Sequence, residues 1–405
     1  MAVAWSLPEN LARIRKARNL SQEQLAEKAN VAVDTIARIE RTERQTTRPA
    51  TVDKLAAALG VTPAILLGIL PPAHDTDASR VTDLRRAITA IDEVPGLEDF
   101  NDVDDLASVT DLEHTAREAW RAYVDGRHAQ LLLVLPPLLV DARRLVRATH
   151  SSSRAAASRV LSTAYRLGAG LAGRFGLDDL AWTSAERALD AARDSDSPDL
   201  ETAISIRYLV WTLVRQGRAD EAEDAAVKAA ERIEPRMLDR DSRRAGVFGN
   251  LLFNAASAAA RGPTPARAQD YLAEAQAAAV RSGIDNATEA AIFGPRVAAL
   301  QAVDHAVRTG DPETALRLAE HVPATRGEVP PFWEAGHQLM LAAAAVELGD
   351  NRRALVGLAI ARELAPDWVR YQPLGASTMR TLVDRATRRR GDDFAALAAH
   401  YGVVR

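Results

Sequence analysis

Bond-making chemistry needs nucleophiles, metal ligands or phosphate cradles at set spacings, and this sequence lacks them. It has no cysteine, which removes thiolate nucleophiles, thiolate metal sites and disulfides. Its eight histidines (His74, His114, His128, His150, His305, His321, His337 and His400) are scattered, with no pair at metal-ligand spacing on one helix. No phosphate-binding loop, dinucleotide fingerprint, nucleophile elbow or His-Glu-x-x-His pattern occurs. Neither catalysis nor a bound cofactor or metal is expected. What the residues offer is recognition by hydrogen bonding. Asp34, Thr35 and Arg38 lie on the outward face of a short helical segment whose Ile36 and Ile39 point inward. Further along, Asn250 and Asn254 stand four apart on one helical face, where two amides can bond a ligand backbone or form a buried ladder.

The elements that position the first group are legible. A first helix opens near Pro8 and carries Leu11 and Ile14 inward among Arg13, Arg15, Lys16 and Arg18. Ser21-Gln22-Glu23-Gln24 is a capping box opening a second helix, and Asn30 suits the left-handed turn that ends it. A third helix is expected from about Val33 to Arg41, a fourth over Thr51–Leu59 stopped by Gly60, and a fifth capped by Thr62 with Pro63 at its first position. Two short helices joined by a tight turn, the second presenting small and polar side chains, make a helix-turn-helix.

Leu20 to Val31, Thr35 to Glu40 and Leu55 to Pro63 closely resemble the XRE, or phage-repressor-like, DNA-binding family over about 60 residues. The resemblance implies that Gln22 bonds a phosphate at the N-terminus of the second helix. It implies that Ala32, Val33, Asp34, Thr35 and Arg38 face the major groove. There Arg38 would read guanine, Asp34 would accept from cytosine and Val33 would meet a thymine methyl. Arg41, Arg44 and Arg48 are implied phosphate contacts, and Arg15 with Glu40 matches a structural ion pair of that family. The sequence departs from the pattern at Ala32, which replaces a Ser or Thr cap, and in a long Arg41–Thr47 loop.

Beyond residue 70 the composition changes. Residues 1–70 carry ten Lys/Arg against seven Asp/Glu, whereas the remainder has a net charge of −7. A basic head on an acidic body fits a small polyanion-binding module joined to a larger body that does not bind polyanions. Paired prolines at 71–72 and the acidic run Glu98–Asp105 mark residues 71–106 as a linker. From about Ala107 long apolar-periodic helices alternate with breaks at Gly126, Gly176, Gly217, Gly262, Gly310 and Gly349, a spacing of a helical solenoid. Gly217–Ala222 and Gly310–Leu316 resemble the turn and second-helix start of tetratricopeptide repeats. The Arg-rich stretch holding Arg385, Arg388, Arg389 and Arg390, and the run Phe394–Val403, read as a polar cap.

The expected fold is therefore all-α: a five-helix helix-turn-helix domain over residues 6–70, then a tetratricopeptide-like solenoid over residues 107–405. First helices of solenoid pairs line a binding face. Candidate ligand residues there are Arg207, Tyr208, Trp211, Asn250, Asn254, Phe293, Arg296 and His337, with Gly294-Pro295 expected to kink a helix shared by Phe293 and Arg296. The plainer reading of Tyr208, Trp211 and Phe293 is as packed core aromatics. The layout is similar to peptide-pheromone-sensing regulators. It implies a homodimeric regulator bound to double-stranded DNA at a near-palindromic operator, with a peptide or small-molecule effector. The alternative is a DNA-tethered scaffold whose repeats bind a protein partner. No membrane association is expected, because the longest predominantly apolar stretch, Ala129–Val140, is short and holds Pro136 and Pro137. With no basic start and apolar signal run, the chain is expected to be cytoplasmic.

Overall fold

The computed structural model describes residues 6–41, 47, 49–61, 63–67, 75–91, 106–235, 241–263, 265–386 and 391–403. It is all-α. Five short helices come first: α1 (Leu7–Ala17), α2 (Gln22–Ala29), α3 (Val33–Glu40), α4 (Pro49–Leu59) and α5 (Pro63–Leu66). Among the described residues one helix, α6 (Asp75–Ile88), precedes six helix pairs. These are α7 (Val109–Val124) with α8 (His128–Ala148), α9 (Ser151–Arg174) with α10 (Asp178–Arg193), and α11 (Pro198–Arg215) with α12 (Ala219–Ile233). The later pairs are α13 (Ser242–Ala259) with α14 (Arg267–Ser282), α15 (Pro295–Arg308) with α16 (Pro312–Ala319), and α17 (Pro331–Glu347) with α18 (Asn351–Leu364). Three helices follow, α19 (Pro366–Val369), α20 (Pro373–Arg385) and α21 (Asp392–His400). The sheet among the described residues is one ribbon, β1 (Asn286–Ala287) antiparallel to β2 (Ile292–Phe293).

The repeat turns share one mechanism. In five pairs the glycine adopts φ between +72° and +81°, a conformation costly for any side chain bearing a Cβ. The next residue's N–H then returns to the carbonyl five residues earlier: Arg127 to Ala122, Leu177 to Ala172, Arg218 to Leu213, Asp311 to Ala306 and Asp350 to Ala345, at 2.8–3.0 Å. This closes the Schellman motif and satisfies a carbonyl that the helix end would orphan. The Gly262 turn differs, because Pro263 stands where that N–H is needed and has none. The chain instead loops to α14 four residues later.

The chain divides into two compact units, residues 75–337 and residues 1–74 with 338–405. Within the expected linker, α6 is helical and packs on α8, with Leu84, Ala87 and Ile88 buried at helical spacing. Arg143 Nη1 donates to Ala87 O at 2.6 Å. The paired prolines and the acidic run Glu98–Asp105 fall outside the described residues. In the same unit α8 runs unbroken through Pro136 and Pro137. Its core joins α6–α10 in one cluster rich in Leu and Ala, and α11–α15 in a second built largely of Ala, which lets helices approach closely.

In the other unit, α1–α5 enclose Leu11, Ile14, Leu25, Ile36, Ile39, Leu55 and Leu66, each at most 1% exposed. The tail does more than cap the array: α20 and α21 pack on α1. Lys16 Nζ donates to Asp384 O at 3.2 Å, and Gly391 N to Asn19 Oδ1 at 3.1 Å. Phe394, Leu397 and Tyr401 are buried, and Tyr401 Oη donates to Leu358 O at 2.8 Å. Residues 387–390, with three of the tail arginines, lie outside the described residues.

Candidate nucleic-acid interface and ligand cavity

The capping box forms as its spacing predicts. Ser21 Oγ accepts from Gln24 N at 3.1 Å and Gln24 Oε1 accepts from Ser21 N at 3.0 Å, an arrangement worth about 1 kcal/mol to the helix start. Asn30 turns the chain at φ +50°, and α3 starts after Ala32 without a side-chain cap. Glu40 then ties three helices together. Arg15 of α1 donates Nε and Nη2 to its two oxygens at 2.6 and 2.7 Å, and Gln22 of α2 donates Nε2 at 2.7 Å. The expected ion pair thus includes Gln22, whose amide is drawn into it. No spacing rule links residues 22 and 40, so the sequence did not signal this contact.

On the outer side of α3, Ala32, Val33, Asp34 and Arg38 are exposed and Thr35 is half-buried. Asp34 and Arg38 pair across one turn at 2.9 Å, both about three-fifths exposed. A pair this solvated is held by only a few tenths of a kcal/mol, so either group is available to a competing partner. Arg41 is exposed, and its Nε donates to Ala37 O at 3.2 Å. Arg44 and Arg48 lie outside the described residues.

In the unit formed by residues 75–337, the first helices of successive pairs line a cavity of about 220 Å³. Of the eight candidate ligand residues, Arg207, Tyr208, Trp211 and Asn250 line it. Trp120, Tyr123, Arg174, Arg215, Phe332 and Trp333 also line it and were not singled out from the sequence. Arg174 stacks over the Tyr123 ring at 3.8 Å, and Nη1 donates to His128 Nε2 at 2.8 Å. Burial, with Arg174 beside it, pulls the His128 imidazole down to about 3. The wall is aromatic and cationic, with Glu289 as the carboxylate on it.

The other four candidates sit elsewhere. Asn254 is buried with its amide nitrogen unpartnered. Phe293 is 2% exposed, packs on Phe253 at 5.6 Å and lies over Gly249, where a Cβ would come within 2.0 Å of its ring. Arg296 forms a two-bond pair with Glu334 at 2.5 and 2.8 Å. His337 is buried, and that burial pulls it down to about 4. Phe293 and Arg296 do not share a kinked helix. Pro295 instead occupies the first turn of α15, where its missing N–H costs nothing, and Phe293 ends the ribbon.

That ribbon, absent from the sequence-based expectation, reaches across the first helices. Asp285 fixes its base: Oδ1 accepts from Arg296 N at 2.9 Å and Val297 N at 3.3 Å, capping α15, and Asp285 N donates to Arg326 O at 2.6 Å. Gly327, at φ +113°, passes so close that a Cβ would lie 2.1 Å from Asp285 O. At the tip, Thr288 N donates to Ala291 O at 3.0 Å. Asn250 Nδ2 donates to Ile292 O at 2.9 Å, Arg207 Nη1 donates to Ala290 O, and Arg166 Nη2 donates to Glu289. Arg166 is fully buried and also bonds Glu201 at 2.8 Å, which in turn accepts from Arg243 at 2.6 Å.

The fold and the exposed α3 row define an XRE-type helix-turn-helix DNA-binding domain joined to a helical-repeat body. Residues 11–66 match the family model described as Helix-turn-helix. Among solved structures the chain is similar to Bacillus thuringiensis PlcR, in a complex with the peptide PapR7 and DNA, at 9% identity and a TM-score of 0.27 over 89% of this chain and 94% of that one. It is also similar to the apo form of the competence regulator ComR from Streptococcus vestibularis, at 15% identity and a TM-score of 0.26 over 92% of this chain and 97% of that one. Likenesses this remote carry no functional argument. No curated protein matches the chain. Among the described residues no helix is long and apolar enough to cross a membrane, and no cluster of metal-ligating side chains occurs.

Proposed function

We propose that the chain is a sequence-specific transcription regulator of the cytoplasm, whose head binds double-stranded DNA and whose repeats respond to a peptide or small-molecule effector. The observation that carries this reading is the exposed row Ala32, Val33, Asp34 and Arg38 on α3, held by the Arg15–Glu40–Gln22 cluster behind it. In this reading α3 enters the major groove, Arg38 leaves Asp34 for a guanine edge, and Val33 meets a thymine methyl. The N–H groups opening α2 take a phosphate, with Gln22 beside them, and Arg41, Arg44 and Arg48 take others. Two chains pair and present their α3 helices about one DNA turn apart to a near-palindromic site. The exposed apolar row Val356, Ile360 and Leu364 on α18 supports pairing, because the three residues share one helical face. The effector acts only through different affinities for two states of the pair.

The test is operator selection followed by gel shifts over a salt series. Arg38→Ala is expected to weaken binding to the selected site about 5- to 150-fold, the loss of one bidentate base contact, and to relax specificity at one base pair. Arg41→Ala is expected to weaken all sites alike and to reduce the salt slope by about one. Unchanged affinity in both Arg38→Ala and Gln22→Ala rejects the assigned surface. Light scattering of Ile360→Glu is expected to show half the mass of the parent, and an unchanged mass removes α18 from the interface. Co-purification of a stoichiometric protein, with no response to peptides or small molecules, supports the scaffold reading instead.

A further inference from the structure

We propose that the ribbon tip, Thr288–Ala291, is a built-in occupant of the ligand face, and that the effector is a short acidic peptide that takes its place. The proposal rests on the reading that this face binds an effector, and specifies its chemistry. The tip is itself a peptide seated across three first helices. It gives a carboxylate to Arg166 on α9, one main-chain carbonyl to Arg207 on α11 and another, at its base, to Asn250 on α13. Two-residue strands do not hold a ribbon together alone, so the tip stays in place through these contacts. Its base is fixed independently by Asp285 and by the buried Phe293. The tip can therefore lift while the anchors hold.

Charge decides what can replace it. Around the tip stand Arg166, Arg207 and Arg243 against Glu201 and Glu289. When the tip lifts, three guanidinium groups face one carboxylate, and Arg166, fully buried while the tip is seated, loses one of its two carboxylate partners. An incoming ligand must bring a carboxylate to Arg166 and backbone acceptors to Arg207. The adjoining cavity, walled by Trp120, Tyr208, Trp211 and Trp333, takes its apolar side chains. An acidic peptide meets all three demands. A neutral peptide fails the first, and a simple organic acid lacks the second.

The test uses the full chain and a synthetic octapeptide of residues 286–293, capped at both ends, with a control peptide carrying Gln at its fourth position. Glu289→Gln weakens the tether with little change of shape. The octapeptide is expected to bind Glu289→Gln at least tenfold more tightly than the parent and to speed amide exchange at residues 289–291. The control peptide is expected to bind at least tenfold more weakly than the octapeptide. Adding Arg207→Leu to Glu289→Gln is expected to abolish binding, with a melting curve confirming that the double variant folds. The proposal is overturned by equal affinity in parent and Glu289→Gln, by no binding to either, by equal binding of the control, or by binding that leaves tip exchange unchanged. Gel shifts in the same samples separate the two readings. Tip displacement without any change in DNA affinity removes effector sensing and keeps the occupant, whereas an effector that alters DNA affinity without disturbing the tip does the reverse.

Discussion

Replacing Arg166 by methionine is expected to lower the unfolding free energy of the full chain at pH 7 by about 3–5 kcal/mol, the cost of leaving a buried charge without its partner. The guanidinium is fully enclosed and bonds Glu201, Glu289, Ser162, Thr163 and Ser205. Methionine fills much of the volume but leaves the wholly buried Glu201 with Arg243 alone. The pH dependence gives a second readout. Burial pushes the Glu201 carboxyl up, but Arg166 and Arg243 together hold it below its ordinary value of 4.5. A carboxyl depressed in this way contributes stability above its unfolded value, and that contribution is lost as pH falls through the folded one. Without Arg166 the carboxyl rises, and the variant recovers stability on protonation while the parent loses it. Denaturant titrations at pH 7 and pH 4.5 are therefore expected to show a gap that narrows on acidification. A gap below about 1 kcal/mol at pH 7 would mean that the cluster is not buried as described.

Glu40→Ala is expected to cost about 2–3 kcal/mol, most of it felt in α1–α3. The alanine variant removes the acceptor for two Arg15 bonds and one Gln22 bond, at a carboxylate only 8% exposed. Glu40→Gln keeps the shape and one acceptor and is expected to cost less than half as much. Amide exchange in α1 and α3 checks this, since local opening reports on the weakened segment directly. Exchange that is unchanged in both variants would mean that the apolar core of Leu11, Ile36 and Ile39 holds the three helices unaided.

Local signals were legible in the sequence, and contacts between distant segments were not. The Ser21–Gln24 box, the Asn30 turn and the repeat glycines are each set by a few neighbouring residues, and the structure repeats them almost position for position. Gly262 departs because Pro263 changes the local chemistry, which the sequence also displays. The ribbon was missed because Asn286–Phe293 has no turn signature. Its conformation comes from Asp285, Arg207 and Asn250, which lie up to 83 positions away in the chain. The cavity was half found for the same reason: its first helices were expected, but Trp120, Arg174 and Trp333 face it only because successive pairs stack. Helix α6 was not legible although Leu84, Ala87 and Ile88 carry a helical period, because it lies between paired prolines and an acidic run, both linker signals.

The packing of α20 and α21 on α1 has a consequence for biogenesis. Lys16 and Asp384 are 368 positions apart, so during synthesis the first helices emerge long before their partners leave the ribosome. For that interval the α1 face that α20 and α21 will cover stands uncovered, so the head is completed only once those two helices have been translated. A nonsense codon near residue 370 would then leave α1 without its cover, and proteolysis of such a product is expected to begin at that helix.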